Sequence, residues 1–95
     1  MTGIDRIKAE RERQITQEGW TAEHDAQHVN EELLDAAACY LFNAMTDGDV
    51  DEEIWPWDTG WEKREQLDDI RSLEIAGALI AAEIDRRLLS RKEEA

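Results

Sequence analysis

Residues 70–88 read IRSLEIAGALIAAEIDRRL. Ile70, Leu73, Gly77, Ile80, Ile84 and Leu88 recur every three or four positions and form one apolar stripe. Leu67, Ile75, Leu79 and Ala82 form a second at the same spacing, which is that of a helix and not of a strand. Between Ile75 and Ala82 the helix is apolar on every side. A three-helix monomer seldom surrounds one helix completely, and Gly77, Ala78 and Ala81 leave room for a close neighbour. The stretch therefore predicts a long third helix over 62–90 and a homo-oligomer that self-associates through it. Within one chain, the alternative cover is the first helix together with a tryptophan-rich loop.

Working outward, two more main helices are expected, giving an all-α fold in a single helical domain over 1–95. A second helix over 28–45 carries Leu33, Ala37, Tyr40, Leu41, Ala44 and Met45 on one side, with Ala36, Ala37 and Ala38 making it narrow. A first helix over 4–17 has only a thin stripe, Ile4, Ile7 and Ile15 with Ala9 to one side. It ends before Gly19, a natural C-cap. Its alternating charges, KAERERQ, read as a solvated surface. Thr21 is placed to cap a short turn with Glu23 and His24 at its start. Pro56 excludes helix in WPWDTGW, residues 55–61, which is expected to be an ordered loop between the second and third helices.

The chain has 95 residues and a formal net charge of −13. Residues 14–62 hold thirteen acids and no Lys or Arg, whereas the flanks hold eleven of each sign, so the whole excess lies in the middle. Such a block disfavours direct nucleic-acid binding through a basic face. It leaves open cation binding, imitation of a polyanion, or simply a soluble surface. Cys39 is alone, lies in an apolar helical run and reads as a small buried hydrophobe in a reducing cytosol. The charged beginning MTGIDRIKAERER is unlike a signal peptide, and no apolar run approaches the ~20 residues of a membrane span, so a cytoplasmic protein without membrane contact is expected.

Six landmarks then occur in order: the Arg/Gln-rich helix, Gly19-Trp20-Thr21, His24-Asp25…His28, the Ala-rich helix, Trp55-Pro56-Trp57, and Ala76-Gly77-Ala78-Leu79-Ile80. From about Ile7 to Arg87 the chain resembles a family of small accessory proteins encoded by tailed phages and prophages. Where relatives often read Trp-Trp-Lys-Pro, this chain has Gly60-Trp61-Glu62-Lys63. The resemblance implies a phage accessory protein in the bacterial host cytoplasm. It supplies no reaction.

Three groups of residues carry chemistry. His24 and His28 are four apart with Asp25 between them, a spacing that imitates the HExxH zinc motif without its Glu or an obvious third ligand. As hydrogen-bonding groups they anchor the turn or meet a ligand. The carboxylates Glu31, Glu32 and Asp35, followed by Glu65 and Asp68, are similar to the EExxE…ExxD pattern of MazG-like nucleotide pyrophosphohydrolases. That resemblance implies all-helical, oligomeric enzymes whose carboxylates hold magnesium. Asp35 stands where that family has Glu. The tryptophan loop is the leading ligand candidate. Trp55, Trp57 and Trp61 offer indoles for stacking on a purine or nicotinamide ring, with Trp20 as a fourth. Lys63 and Arg64 follow, and Arg11 and Arg13 join them if the first helix packs nearby. The competing reading makes the same indoles the lid of the core.

The favoured expectation is a phage anti-defence protein that binds and sequesters a nucleotide-derived molecule, a sponge with no catalytic residue, resident metal or cofactor. Its ligand residues are Arg11, Trp20, His24, His28, Trp55, Trp57, Trp61, Lys63 and Arg64. The alternatives are a magnesium-dependent pyrophosphohydrolase using Glu31, Glu32, Asp35, Glu65 and Asp68, and an acidic DNA mimic or other inhibitor directed at a host enzyme.

Overall fold

The computed structural model describes residues 1–25, 31–46 and 68–94, and these are helical with no strand among them. The elements are α1 (Gly3–Glu18), the single turn α2 (Ala22–Asp25), α3 (Glu32–Thr46) and α4 (Asp69–Glu94). The tryptophan loop, with Trp55, Trp57 and Trp61, lies outside the described residues.

Local chemistry sets the helix ends. Thr2 Oγ1 accepts from the Asp5 backbone N–H at 3.2 Å, and Asp5 returns the contact by accepting the Thr2 N–H at 3.0 Å, a reciprocal capping box. At the other end Gly19 adopts the left-handed conformation, φ +74°, and the Trp20 N–H reaches back to the Gln14 carbonyl at 3.0 Å. The expected glycine cap of α1 is therefore present. Thr21 caps the next turn as expected, accepting from the His24 N–H at 3.2 Å.

The long helix starts later than its periodicity predicts. Asp68 is non-helical, and its side chain accepts the Arg71 N–H at 2.7 Å, so α4 begins at Asp69. It runs on to Glu94, four residues beyond Ser90. Likewise α3 begins at Glu32 and not at His28. The residue before it, Glu31, has φ +68°, while its carbonyl accepts the Asp35 N–H at 2.9 Å. A side chain in that region costs about 1–2 kcal/mol. Glu31→Gly should therefore raise stability by roughly 0.5–1 kcal/mol after glycine's own entropic loss. Urea denaturation of the two proteins measures it, and a destabilised variant would contradict the strain.

Helices α3 and α4 run antiparallel. Asn43, late in α3, donates to Ser72 Oγ, early in α4, at 2.7 Å, and Glu32 at the opposite end of α3 lies in the field of Arg86. Between these points lies the core: Leu33, Ala36, Ala37, Leu79 and Ala82, with Trp20, Tyr40 and Ile75 packed against it. Five of these eight side chains come from the second stripe of α4 and the alanine run of α3. Small residues let the two backbones approach, and Cys39 is buried beside them. The first stripe of α4 fares differently: Ile70, Leu73, Ile80, Ile84 and Leu88 are all between 46 and 56 % exposed.

Helix α1 reverses its sequence reading. Ile4 is 80 % exposed and Ile15 lies at the surface, whereas Glu10, Arg11 and Gln14 are buried. The helix docks its polar side because α4 meets it with ionic partners, so KAERERQ is not a solvated face. The apolar exception is Ile7. Its side chain fills the space over Gly77, where an added Cβ would stand 2.7 Å from Ile7 Cδ1. Gly77 and the buried Ala78 thus serve packing inside the chain.

Candidate functional site

Where α1 crosses the start of α4, five charged side chains interlock. Glu10 is almost wholly buried and accepts from Arg13 through both oxygens, at 2.9 and 3.0 Å. Arg71 reaches the same carboxylate from α4 at 2.6 Å and also contacts Glu74 at 3.2 Å. Arg6 completes the chain by donating to Glu74 at 2.6 Å. Arg13 turns its other nitrogen to Glu18 at 3.0 Å. Bidentate guanidinium pairs of this kind are among the stronger protein hydrogen bonds.

Burial of Glu10 pushes its pKa up, but the hydrogen bonds from Arg13 and Arg71 outweigh that and hold it below its ordinary value. The Glu10 contact in turn holds the Arg13 guanidinium firmly protonated. Gln14, fully buried, donates to Glu10 at 3.2 Å. Its own Oε1 is buried without a hydrogen-bond partner among the described residues.

These side chains line a cleft of about 330 Å³ together with Met1 and Ala9. The two glutamates form its floor, with side chains 1 and 11 % exposed. Arg6, Arg13 and Arg71 stand at its rim, each a third to a half exposed. Three positive groups against two negative ones leave a local excess of one positive charge on a chain whose total is −13. Guanidinium forks match phosphate and carboxylate geometry, so the arrangement suits an anion.

Of the expected ligand residues, Arg11, Trp20 and His24 are described, and the first two are joined. Arg11 Nη1 donates to the Trp20 carbonyl at 2.8 Å, and Nη2 reaches Asp85 at 3.4 Å. Arg11 is buried, and Trp20 is half-buried against the core, so this pair fastens the end of α1 to α4. His24 is half-buried at the end of α2. Arg13 does face a cleft, though in company with Arg6 and Arg71, which periodicity alone did not single out. His28, Trp55, Trp57, Trp61, Lys63 and Arg64 lie outside the described residues.

The carboxylates of the magnesium reading are split. Glu31, Glu32 and Asp35 sit at the head of α3, and Asp68 at the head of α4. The antiparallel pairing puts these heads at opposite ends of the helix pair. Asp35 precedes Asn43, the neighbour of Ser72, by eight residues, roughly 12 Å of helix. Glu65 lies outside the described residues. Among the described residues no group of three or more His, Cys, Asp or Glu is gathered to hold a metal.

A second ionic cluster on α4 is local. Glu83 is buried and accepts from Arg86 at 2.7 and 2.8 Å and from Arg87 at 2.7 Å. The Arg86 hydrogen bond lowers its pKa against the opposing effect of burial. No described helix is long and apolar enough to cross a membrane. No family model, curated protein or solved structure matches the chain.

Proposed function

We propose that the protein binds a phosphate-bearing, nucleotide-derived small molecule and holds it without turning it over, as a homo-oligomer joined through α4. In the setting the resemblance implies, a phage in its bacterial host, such a protein acts as a sponge that withholds the molecule from a defence system. The observation that carries the binding reading is the rim of Arg6, Arg13 and Arg71 over the α1–α4 cleft. The floor glutamates hold these guanidiniums in position before any ligand arrives, which lowers the ordering cost of binding. An incoming phosphate meets their exposed ends. This moves the anion-binding role from Lys63 and Arg64 to a cluster built by two helices. The tryptophans of the 55–61 loop remain the candidates for stacking on the base.

The test is a thermal-shift titration with nucleoside triphosphates, cyclic dinucleotides and inorganic triphosphate, with and without magnesium. A ligand present at 100 times its Kd stabilises the native state by about 2.7 kcal/mol. The expected result is a magnesium-independent rise in Tm, lost in Arg6→Ala, with the nucleotide recovered unchanged after heating. A shift that needs magnesium, with pyrophosphate released, would return the protein to the pyrophosphohydrolase class. No shift with any of the probes would overturn the binding reading.

A further inference from the structure

The face of α4 turned away from the core carries Ile70, Leu73, Ile80, Ile84 and Leu88, and Gly77 falls on the same line. The spacing, three, four, three and four as far as Ile84, is that of a coiled-coil seam, and one further step of four reaches Leu88. These five aliphatic side chains, each about half exposed, amount to on the order of 500 Å² of apolar surface along one side of α4, the upper range for one patch on a monomer. The line runs over 18 residues, roughly 27 Å of helix. We infer that this seam is closed by the same seam of a second copy, with the two α4 helices antiparallel about a twofold axis near Leu79.

Three observations select that occupant and direction. A heptad line of half-exposed Ile and Leu matches a helix bearing the same line, and a twofold contact needs one self-complementary patch. Charge along α4 is also polarised. Asp68 and Asp69 stand at its start, ahead of the Arg71–Glu74 pair, and Arg87, Arg91 and Lys92 toward its end, ahead of Glu93 and Glu94. Antiparallel pairing brings each acidic start beside a basic end and opposes the helix dipoles, whereas parallel pairing stacks like charges at both ends. Finally, the layers match in size: Ile70 faces Leu88 and Leu73 faces Ile84, on either side of a centre where Ile7 of each chain already covers Gly77. This deepens the homo-oligomeric part of the proposed function and does not depend on any ligand.

Light scattering on the eluted full-length chain should give twice the 11.0 kDa chain mass. Ile80→Glu and, separately, Ile84→Glu should halve it while circular dichroism keeps the helical signal. Because both positions are exposed, neither change disturbs the core. Direction is read by cysteine cross-linking under oxidised glutathione, with the buried Cys39 left in place. Ile70→Cys and Leu88→Cys each alone should stay uncrosslinked, and the double variant should cross-link. A monomeric parent chain overturns the inference together with self-association, leaving the ligand reading standing. A dimer that survives both glutamate variants overturns this seam, and cross-linking of either single variant overturns the antiparallel arrangement.

Discussion

Glu10→Ala should destabilise the protein by about 3 kcal/mol, the lower end of the cost of breaking a buried ion pair, because Arg13 and Arg71 are each a third exposed and partly screened. For a chain of this length that is a fall in Tm of roughly 12–24 °C. The loss has three parts. Arg13 loses a bidentate acceptor, Arg71 loses its shorter contact, and the fully buried Gln14 loses the acceptor of its amide. Glu10→Gln preserves the shape and removes the charge, so it should lie between the two.

The same substitution has a pH signature. The Glu10 pKa is lowered in the folded protein relative to its ordinary 4.5. Its contribution is therefore complete above 4.5 and disappears as pH falls through the lower folded value. The difference between parent and Glu10→Ala should be constant from pH 7 to about 5 and shrink below that. Glu83, lowered by Arg86, leaves a residual acid-sensitive limb in the variant. Urea titrations at pH 7, 5, 4 and 3 measure this. A gap that stays constant down to pH 3 would show that Glu10 acts through packing and not through charge.

Gly77→Leu is the second large effect, about 2–3 kcal/mol of destabilisation. The added Cβ alone stands 2.7, 2.9 and 3.2 Å from three Ile7 side-chain atoms. Ile7 is β-branched and cannot turn aside cheaply. The gain in helix propensity over glycine, about 1 kcal/mol, does not offset that overlap. If the clash is with Ile7, then Ile7→Ala in the same chain should recover a large share, with a coupling of at least about 1 kcal/mol in the double-mutant cycle. Strict additivity of the two single changes would place the strain elsewhere.

The helical class of the protein was readable from periodicity because three- and four-residue spacing recurs over long stretches. The Gly19 cap, the Thr21 turn and the buried Cys39 followed from single residues whose roles are local. The start of α4 did not, since Leu67 fits the same periodic pattern, and only the Asp68 cap shows where the helix begins. Nor did the docking side of α1. Apolar periodicity assumes that oil faces inward, and on α1 it picked Ile4 and Ile15, which face outward. What overrode it was partner chemistry: Arg71 and Glu74 lie more than sixty residues away, and nothing in KAERERQ announces them. The cleft was hidden for the same reason. Its members come from two distant segments, and in sequence each looks like an ordinary surface charge.

The polar docking of α1 also fixes where along α4 it can sit. Apolar contacts are non-directional, and a greasy stripe tolerates sliding by a turn with modest loss. Forked guanidinium pairs do not. Moving α1 by one turn, about 5.4 Å, would carry Glu10 away from Arg71 and Arg6 away from Glu74 together, breaking both ion pairs between the helices and leaving only the pairs within each, Glu10–Arg13 and Arg71–Glu74. Ile7 would leave the slot at Gly77 in the same step. The ionic contacts therefore act as a key that admits one alignment of the two helices, and the shape of the cleft between them is set by that alignment.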